Sequence, residues 1–213
     1  MDPVFVDDAL LVLDKPSGLL AVPGRGADKQ DALSARVQRL YPDALIVHRL
    51  DMATSGLMLM ARGPQAQRSL SRAFADREVH KRYLAIVDGH LQAPAGTRDG
   101  WAEIDLPIAL DWPRRPLRVI DAERGKPSIT RWRVLGWDPA NDTTRVMLEP
   151  VTGRSHQLRV HLQSLGHAIL GDVLYASAPV QAKASRLLLH ACALTLTHPV
   201  TGETVAFASP APF

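Results

Sequence analysis

The sequence has one cysteine, few aromatic residues and no long apolar run. Of its 213 residues, 5% are aromatic, and no apolar stretch approaches the roughly 18 residues that a membrane-spanning helix needs. Cys192 lies in an apolar stretch and has no second cysteine to pair with, which indicates a core position and a reducing compartment. Residues 1–8 carry acids where a secretory signal would carry bases. These absences predict a globular, cytoplasmic protein that does not contact a membrane.

Two common kinds of ligand site are also missing from the sequence. The Gly-Arg-Gly at 24–26 has neither the length nor the lysine of a nucleotide-binding phosphate loop. His156 and His161 are five residues apart rather than four, and no cysteine or carboxylate stands at zinc-ligand spacing from them. We therefore expect no metal site.

Basic residues are clustered, although the net charge is only +3 and the isoelectric point about 9.3. One cluster lies in 68–82, and the other comprises Arg114, Arg115 and Arg118. Clusters of this kind suit RNA phosphates. Each can equally be an exposed helix face or loop, so the charge pattern alone leaves nucleic-acid binding open.

The hydrophobic pattern predicts more strands than helices. Strands are expected at 4–16 around an Asp-Asp turn, and at 44–47, 57–62, 80–89, 101–106, 127–137 and 143–151. Helices are expected from Asp31, as N-cap, to Tyr41, from Pro64, and between Gly153 and Gly166. Residues 111–118, with two prolines, are predicted to form a loop, and 186–209 a terminal hairpin turning at 199–202.

Several of these strands follow one another without a crossover helix, which favours antiparallel pairing. The sequence therefore predicts an α+β fold, with a largely antiparallel mixed sheet and flanking helices. We see no repeat and no low-complexity linker. We expect residues 1–213 to form a single domain, without an N-terminal accessory RNA-binding domain.

A first polar segment, His48-Arg49-Leu50-Asp51, follows one predicted strand and precedes another. A loop between two strands can present an acid such as Asp51 from a rigid scaffold. The alternative is a turn aspartate that hydrogen-bonds its own backbone or pairs with Arg49.

A second segment, Lys81-Arg82-Tyr83, places an aromatic ring beside two cations at the start of a strand. A splayed-out base can stack on such a ring while the cations hold its phosphates. The alternative is that Tyr83 is simply a core residue of the sheet.

A third segment, at 153–161, puts several polar side chains into one predicted stretch of helix. Helical spacing places Arg154 and Arg159 on different faces, so that one would meet a cleft and the other the RNA. His156 lies between them and joins the candidate RNA-binding residues.

Four segments in this order resemble those of the RluA-type pseudouridine synthases: HRLDMATSGLMLMAR, KRYLAIVDG, GRSHQLRVHLQSLGHAILGDVLY and RLLLHACALTLTHPVTGE. The resemblance runs nearly end to end and is closest to the compact, single-domain members of that family. Two departures stand out. Ala168 replaces an expected proline, and Ser209 replaces the alanine expected before Pro210.

The resemblance implies the pseudouridine synthase fold with a central RNA-binding cleft. It implies isomerisation of uridines in large-subunit ribosomal RNA, with the tRNA anticodon stem-loop as a further candidate substrate. The family's nucleophilic aspartate falls on Asp51, its tyrosine on Tyr83 and its arginine, a partner for the aspartate, on Arg154. A carboxylate can trap or stabilise the positive sugar that forms when a glycosidic bond breaks. Whether Asp51 attacks the sugar, attacks uracil or removes a sugar proton stays open.

The target nucleotide must leave its stack before it can react. The resemblance implies that Arg49 fills the vacated space, that Tyr83 stacks on the uracil and that 111–118 grips the RNA. The full set of candidate RNA-binding residues is His48, Arg49, Lys81, Arg82, Arg114, Arg115, Arg118, His156 and Arg159. One glycosidic bond replaces another without a change of redox state, so we expect no cofactor. We also expect a monomer with no obligate protein partner.

Two rival functions remain at this point. One is an RNA-binding module without catalysis. The other is a hydrolase that uses Asp51 to release a free base from RNA, which would change the mass of the RNA, whereas an isomerase would not.

Overall fold

The computed structural model describes residues 2–213 and has the α+β composition that the sequence predicts. The strands are β1 (Phe5–Val6), β2 (Leu10–Lys15), β3 (Ala44–Ile46), β4 (Ser55–Arg62), β5 (His80–Asp88), β6 (Ala102–Asp105), β7 (Ile108–Leu110), β8 (Arg118–Ile120), β9 (Ile129–Asp138), β10 (Thr143–Pro150), β11 (Leu189–Thr197) and β12 (Thr204–Ala208). The α-helices are α1 (Leu33–Gln38), α2 (Gly63–Ala75), α3 (Gln157–Ser164) and α4 (Ala178–Ala182). Short 3-10 turns span Ala27–Lys29 and Arg98–Gly100. Within 2–213, no helix is long and apolar enough to cross a membrane.

The chain divides into two compact units. Unit 1 comprises residues up to Lys81 together with His190–Pro212, and unit 2 comprises Arg82–Leu189 together with Phe213. The terminal hairpin thus returns to the unit that contains the N-terminal strands. That the two units act as one catalytic domain stays a prediction.

Unit 1 is built on a sheet in the order β1-β2-β4-β11, with β3 added to β4 and β12 to β11. All these pairs are antiparallel except β4 with β11, which is parallel. The predicted Asp-Asp turn is confirmed, because Asp7 Oδ1 accepts the backbone N–H groups of Ala9 and Leu10 at 2.8 and 2.9 Å. Helix α2 packs Ala66 and Leu70 against the apolar side chains of β2 and β4.

The first predicted helix is shorter than expected and is not capped as predicted. It spans Leu33–Gln38 and begins after Ala32, which makes no side-chain capping hydrogen bond. Asp31 instead pairs with Arg36, at 2.6 Å from its Nη2. The guanidinium therefore competes with the helix N-terminus for the carboxylate. Leu40, which lies within the predicted helix but after the observed one, is 68% exposed.

Unit 2 is built on an antiparallel sheet in the order β5-β10-β9-β6, with a separate two-stranded ribbon, β7-β8. The predicted loop at 111–118 connects the two ribbon strands, and its last residue, Arg118, starts β8. Val160 of α3 and Tyr175 pack with Ile108 in a small apolar cluster beside the ribbon.

The prediction that a helix begins directly after Gly153 is wrong. Helix α3 begins at Gln157, and His156 before it has a left-handed backbone with φ of 58°. The residues 154–156 therefore form a loop, and helical spacing does not decide where Arg154 points. The buried Gln157 holds this loop, since its Oε1 accepts the Arg154 N–H at 3.0 Å and the Thr152 hydroxyl at 2.7 Å.

Candidate active-site and RNA-binding residues

Asp51 lies in the loop that connects β3 to β4 in unit 1. A tight turn follows it, because the Thr54 N–H donates to the Asp51 carbonyl at 3.1 Å. Thr54 is buried, whereas Asp51 remains partly exposed and Arg49 is exposed. The loop thus presents its acid and one arginine at the surface of unit 1 while its end is fixed in the core.

The segment 15–18 anchors this loop. Lys15 is fully buried, and its Nζ donates to three backbone carbonyls at 2.8–3.0 Å, those of Pro16, Leu19 and Met52. The Ser17 hydroxyl donates to the Ala53 carbonyl at 2.7 Å. A buried ammonium is costly unless it is fully hydrogen-bonded, so Lys15 needs its hydrogen bond to the Met52 carbonyl. This bond ties the Asp51 loop to the end of β2. Our sequence reasoning missed Lys15, and a lysine ending an apolar strand was the available signal.

His48 starts the same loop and is held by a hydrogen bond at one ring nitrogen and by stacking on one ring face. Its Nε2 accepts the Leu59 N–H at 2.8 Å, and the ring stacks on Phe74 with centroids 4.4 Å apart. Burial, and to a lesser degree the nearby charge of Lys81, lowers the pKa of His48 to about 3. The imidazole is therefore neutral and anchors the loop. Its contact with RNA stays a prediction.

The cations of the second motif have protein neighbours as well. Lys81 Nζ lies 5.7 Å from the centroid of the Phe74 ring, and burial lowers the pKa of this ammonium. Arg82 is exposed but pairs with Glu149 at 2.7 Å, and Glu149 also pairs with Arg131 at 2.9 Å. Tyr83 is half-buried in β5. The motif is thus divided between unit 1, which holds Lys81, and unit 2.

Unit 2 contains a cavity of about 500 Å³ lined by four cationic side chains and by an apolar wall that includes Trp112. The four are Arg118, Arg124, Lys126 and Arg154. Arg124 pairs with Asp121 at 2.7 Å. The other three have no acidic partner within 4.0 Å among residues 2–213, and the buried Nε of Arg118 has no hydrogen-bond acceptor there. This concentration of uncompensated positive charge makes the cavity suitable for binding an anion.

Tyr175, which sequence reasoning did not single out, connects two candidate RNA-binding residues. Its hydroxyl accepts the backbone N–H of Arg118 at 2.9 Å and hydrogen-bonds His156 Nδ1 at 2.6 Å. This contact fixes the start of β8 and the left-handed residue before α3. The signal in the sequence was the tyrosine that ends GDVLY in the third motif.

Arg159 is corrected from an RNA contact to a residue of the protein interior. It is 3% exposed, and Asp172, which is 1% exposed, binds its guanidinium through two hydrogen bonds. Such burial leaves no surface for an RNA phosphate. The sequence pattern could not show this, because the carboxylate that holds Arg159 lies outside the helix.

The remaining arginines of the 111–118 loop are exposed. Arg114 pairs with Asp111 at 2.6 Å, and the Arg115 guanidinium lies 4.4 Å from the centroid of the Trp112 ring. Both residues are exposed, as an RNA-binding loop requires.

The structure groups the candidates by unit. Unit 1 holds His48, Arg49, Asp51 and Lys81, and unit 2 holds Arg82, Tyr83, Arg114, Arg115, Arg118, Arg154, His156 and Arg159. The predicted pairing of Asp51 with Arg154 stays a prediction. Across 2–213, no group of three or more His, Cys, Asp or Glu side chains is placed to hold a metal ion.

Comparison with known proteins identifies the family. Residues 9–164 match the family described as RNA pseudouridylate synthase. The chain is 49% identical over 210 residues to the dual-specificity RNA pseudouridine synthase RluA of Escherichia coli K12, covering 99% of this chain and 93% of that protein. It is 47% identical over 213 residues to the Pasteurella multocida protein of the same name, covering 100% and 94%.

A solved structure agrees with this likeness. Human RNA pseudouridylate synthase domain containing 1 superimposes with a TM-score of 0.80 at 31% identity, covering 100% of this chain and 84% of the human one. The resemblance that the four motifs carry is thereby confirmed. The chain belongs to the RNA pseudouridylate synthase family and is a pseudouridine synthase, an isomerase that acts on RNA.

Proposed function

We propose that this pseudouridine synthase converts specific uridines to pseudouridine in both large-subunit ribosomal RNA and tRNA anticodon stem-loops. The bacterial relatives carry the description dual-specificity. The observation that carries the proposal is the loop of Asp51, which leaves this residue partly exposed while the loop backbone is held by the buried Lys15 and by Ser17.

Asp51 is the proposed nucleophile or electrostatic stabiliser of the sugar. Cleavage of the N-glycosidic bond builds positive character at the sugar, which an anchored carboxylate can meet without rearranging. The uracil then turns over and rejoins through C5, after which C5 loses its proton and N1 gains one from solvent, so the composition of the RNA is unchanged. No electron donor or acceptor enters this sequence of bonds, and we propose that the enzyme uses no cofactor.

Tyr83 and Arg154 are the other proposed catalytic residues. Tyr83 stacks on the uracil as it turns, which keeps the detached base beside the sugar. Arg154 contributes a guanidinium from a loop held by Gln157. Arg49, exposed beside Asp51, is proposed to occupy the space that the flipped nucleotide leaves.

The RNA backbone is proposed to bind the basic surface of unit 2. The 111–118 loop supplies Arg114, Arg115 and Arg118, and the cavity below it adds Arg124 and Lys126. Phosphate contacts of this kind fix register without reading bases, so RNA shape selects the substrate. His48, Lys81, Arg82 and His156 complete the proposed RNA-binding set.

We place the enzyme in the cytoplasm as a monomer whose two units act as one catalytic domain. The reducing compartment fits the lone, buried Cys192. We propose that the enzyme acts on structured RNA without an obligate protein partner.

The test is tritium release from RNA labelled at C5 of uridine. Transcripts of a large-subunit ribosomal RNA fragment and of a tRNA anticodon stem-loop are incubated with the protein, with the Asp51→Asn variant as control. We expect release from both RNAs, unchanged RNA mass and no free uracil. Free uracil would instead show a hydrolase, and tight binding without release would show a non-catalytic module. Release from only one RNA would contradict the dual specificity.

A further inference from the structure

A buried chain of side-chain hydrogen bonds crosses unit 1 and ends at the loop of Asp51. The Ser55 hydroxyl lies 2.9 Å from His190 Nδ1, and His190 Nε2 lies 3.1 Å from the Ser209 hydroxyl. The Ser209 hydroxyl in turn donates to Asp14 Oδ2. The serines and His190 are each at most 5% exposed, whereas Asp14 is at the surface.

The carboxylate at the outer end fixes the direction of every bond in this chain. A serine hydroxyl has one hydrogen, and Ser209 gives it to Asp14. His190 Nε2 must then carry the hydrogen that Ser209 accepts. In the neutral ring this leaves Nδ1 as an acceptor, which takes the hydrogen of the Ser55 hydroxyl. Ser55 is thereby oriented by a carboxylate far from it in sequence.

The inner end of the chain lies where the Asp51 loop enters the sheet. Ser55 is the first residue of β4, directly after the turn that Asp51 and Thr54 form. The parallel pairing of β4 with β11 sets Ser55 opposite His190 and Gly56 opposite Ala191. Gly56 has φ of +109°, and a Cβ there would lie 2.3 Å from the Ala191 carbonyl oxygen. The backbone contact and the side-chain contact therefore fix the same point of the loop.

We propose that His190 is a positioning residue for the isomerisation: through Ser55 it holds the end of the 48–55 loop, and Ser209 with Asp14 sets its tautomer. This inference rests on the proposed function, because the loop matters for rate only if Asp51 is the reacting group. His190 is 2% exposed, so it acts through Ser55 and not directly on the substrate. It complements Lys15, which holds the middle of the same loop at the Met52 carbonyl.

Ser209 connects the Asp14 carboxylate to His190. Its position is where the family resemblance predicts alanine, which has no side-chain hydrogen-bond donor or acceptor. Ser209 is also held by its backbone, since its N–H donates to the Cys192 carbonyl at 2.9 Å. The link from Asp14 to His190 therefore rests on a fixed backbone.

The experiment compares two buried histidines of unit 1. His190→Gln and Ser55→Ala remove the proposed link. His198→Gln is the matched control, because His198, at the turn of the terminal hairpin, is 7% exposed and its Nε2 pairs with Asp7 at 2.9 Å. Single-turnover rate, RNA dissociation constant and thermal midpoint are measured for all three and for the double variant Ser55→Ala/His190→Gln.

We expect His190→Gln and Ser55→Ala to lower the single-turnover rate about tenfold or more, since small misplacement of a reacting group is costly. RNA affinity should change less than about twofold. The double variant should lose no more rate than His190→Gln alone, because both changes break one link. His198→Gln should lower the thermal midpoint by about as much as His190→Gln does, yet keep the wild-type rate. Equal rate losses in His190→Gln and His198→Gln would overturn the proposal.

A second measurement does not depend on activity. The ¹⁵N chemical shifts of His190 should show hydrogen on Nε2 and none on Nδ1, and the Nδ1–H tautomer would overturn the assignment.

Failure of the proposed function can be distinguished from failure of the positioning role. If Asp51→Asn keeps full activity, the role of Asp51 is wrong. If Asp51→Asn is inactive while His190→Gln keeps the wild-type rate, only the positioning role is wrong.

Discussion

Arg159 and Asp172 form a buried ion pair joined by two hydrogen bonds, 2.7 Å from Nε to Oδ2 and 2.6 Å from Nη2 to Oδ1. Asp172 Oδ1 also accepts the backbone N–H groups of Leu174 and Tyr175. The pair therefore supports the turn that carries Tyr175, whose hydroxyl contacts Arg118 and His156.

Removal of one partner of this pair should destabilise the protein strongly. Arg159→Met leaves the Asp172 carboxylate buried without its cation, and we expect a loss of about 3–5 kcal/mol in the free energy of unfolding. Urea unfolding measures it. Arg36→Met is the control, because the Arg36–Asp31 pair is exposed and should change the urea midpoint very little. Equal midpoints for the two variants would contradict the assignment of Arg159 to the interior.

His48 should make the stability of the protein depend on pH. Its pKa is about 3 in the folded protein, against an ordinary value of 6.5. In the pH range between these values the unfolded chain binds the proton and the folded protein does not. The contribution of His48 to the free energy of unfolding is therefore fully present when the pH is above the ordinary pKa. It falls by about 1.4 kcal/mol per pH unit as the pH decreases through this range.

The variant His48→Gln isolates this contribution. Glutamine can accept the Leu59 N–H but does not titrate. Urea unfolding at about pH 7, 6 and 5 should give a smaller decrease for the variant than for the wild type. Parallel curves would show that His48 keeps its ordinary pKa in the folded protein.

Asp51→Asn should abolish turnover and leave RNA affinity largely intact. A neutral amide of equal size can neither attack the sugar nor stabilise its positive charge. Tritium release and filter binding measure the two properties. Asp76→Asn, an exposed aspartate at the end of α2, serves as the control and should keep full activity. Near-normal tritium release from Asp51→Asn would disprove its catalytic role.

Tyr83→Phe should bind RNA normally and slow a late step of the reaction. Phenylalanine keeps the stacking surface but lacks the hydroxyl, which is our candidate for helping to remove the C5 proton. Single-turnover tritium release compares the variant with the wild type. An unchanged rate would restrict Tyr83 to stacking and packing.

Lys126→Gln should weaken the binding of every RNA substrate by a similar factor. Lys126 lines the basic cavity and has no acidic partner among residues 2–213. A lost phosphate contact lowers the salt dependence of binding by about one unit of slope in a plot of log affinity against log salt. Lys29→Gln, an exposed lysine of unit 1, is the control. An unchanged slope for Lys126→Gln would place the RNA elsewhere.

The positions of most strands, the terminal hairpin and the helix from Pro64 could be predicted from the sequence, because alternation and turn residues are local signals. Strands β7 and β8 and helix α4 were not predicted, the first helix ends at Gln38 rather than Tyr41, and two helices begin later than expected. Asp31 is not an N-cap because Arg36 binds its carboxylate, and α3 begins only at Gln157, whose side chain holds the preceding loop. Competition between nearby polar side chains decides such boundaries, and periodicity does not record it.

The sequence by itself determined the family and the identity of Asp51, Tyr83 and Arg154 as candidate catalytic residues, since their motifs are contiguous. Only the tertiary structure decided that Arg159 is buried, that Lys15 and His48 anchor the Asp51 loop, and that His190 meets Ser55. Each of these depends on a partner distant in sequence: Asp172, Met52, Leu59 or Ser55. The sequence shows which side chains are charged or polar. Packing decides which groups bury each of them and which groups form hydrogen bonds with it.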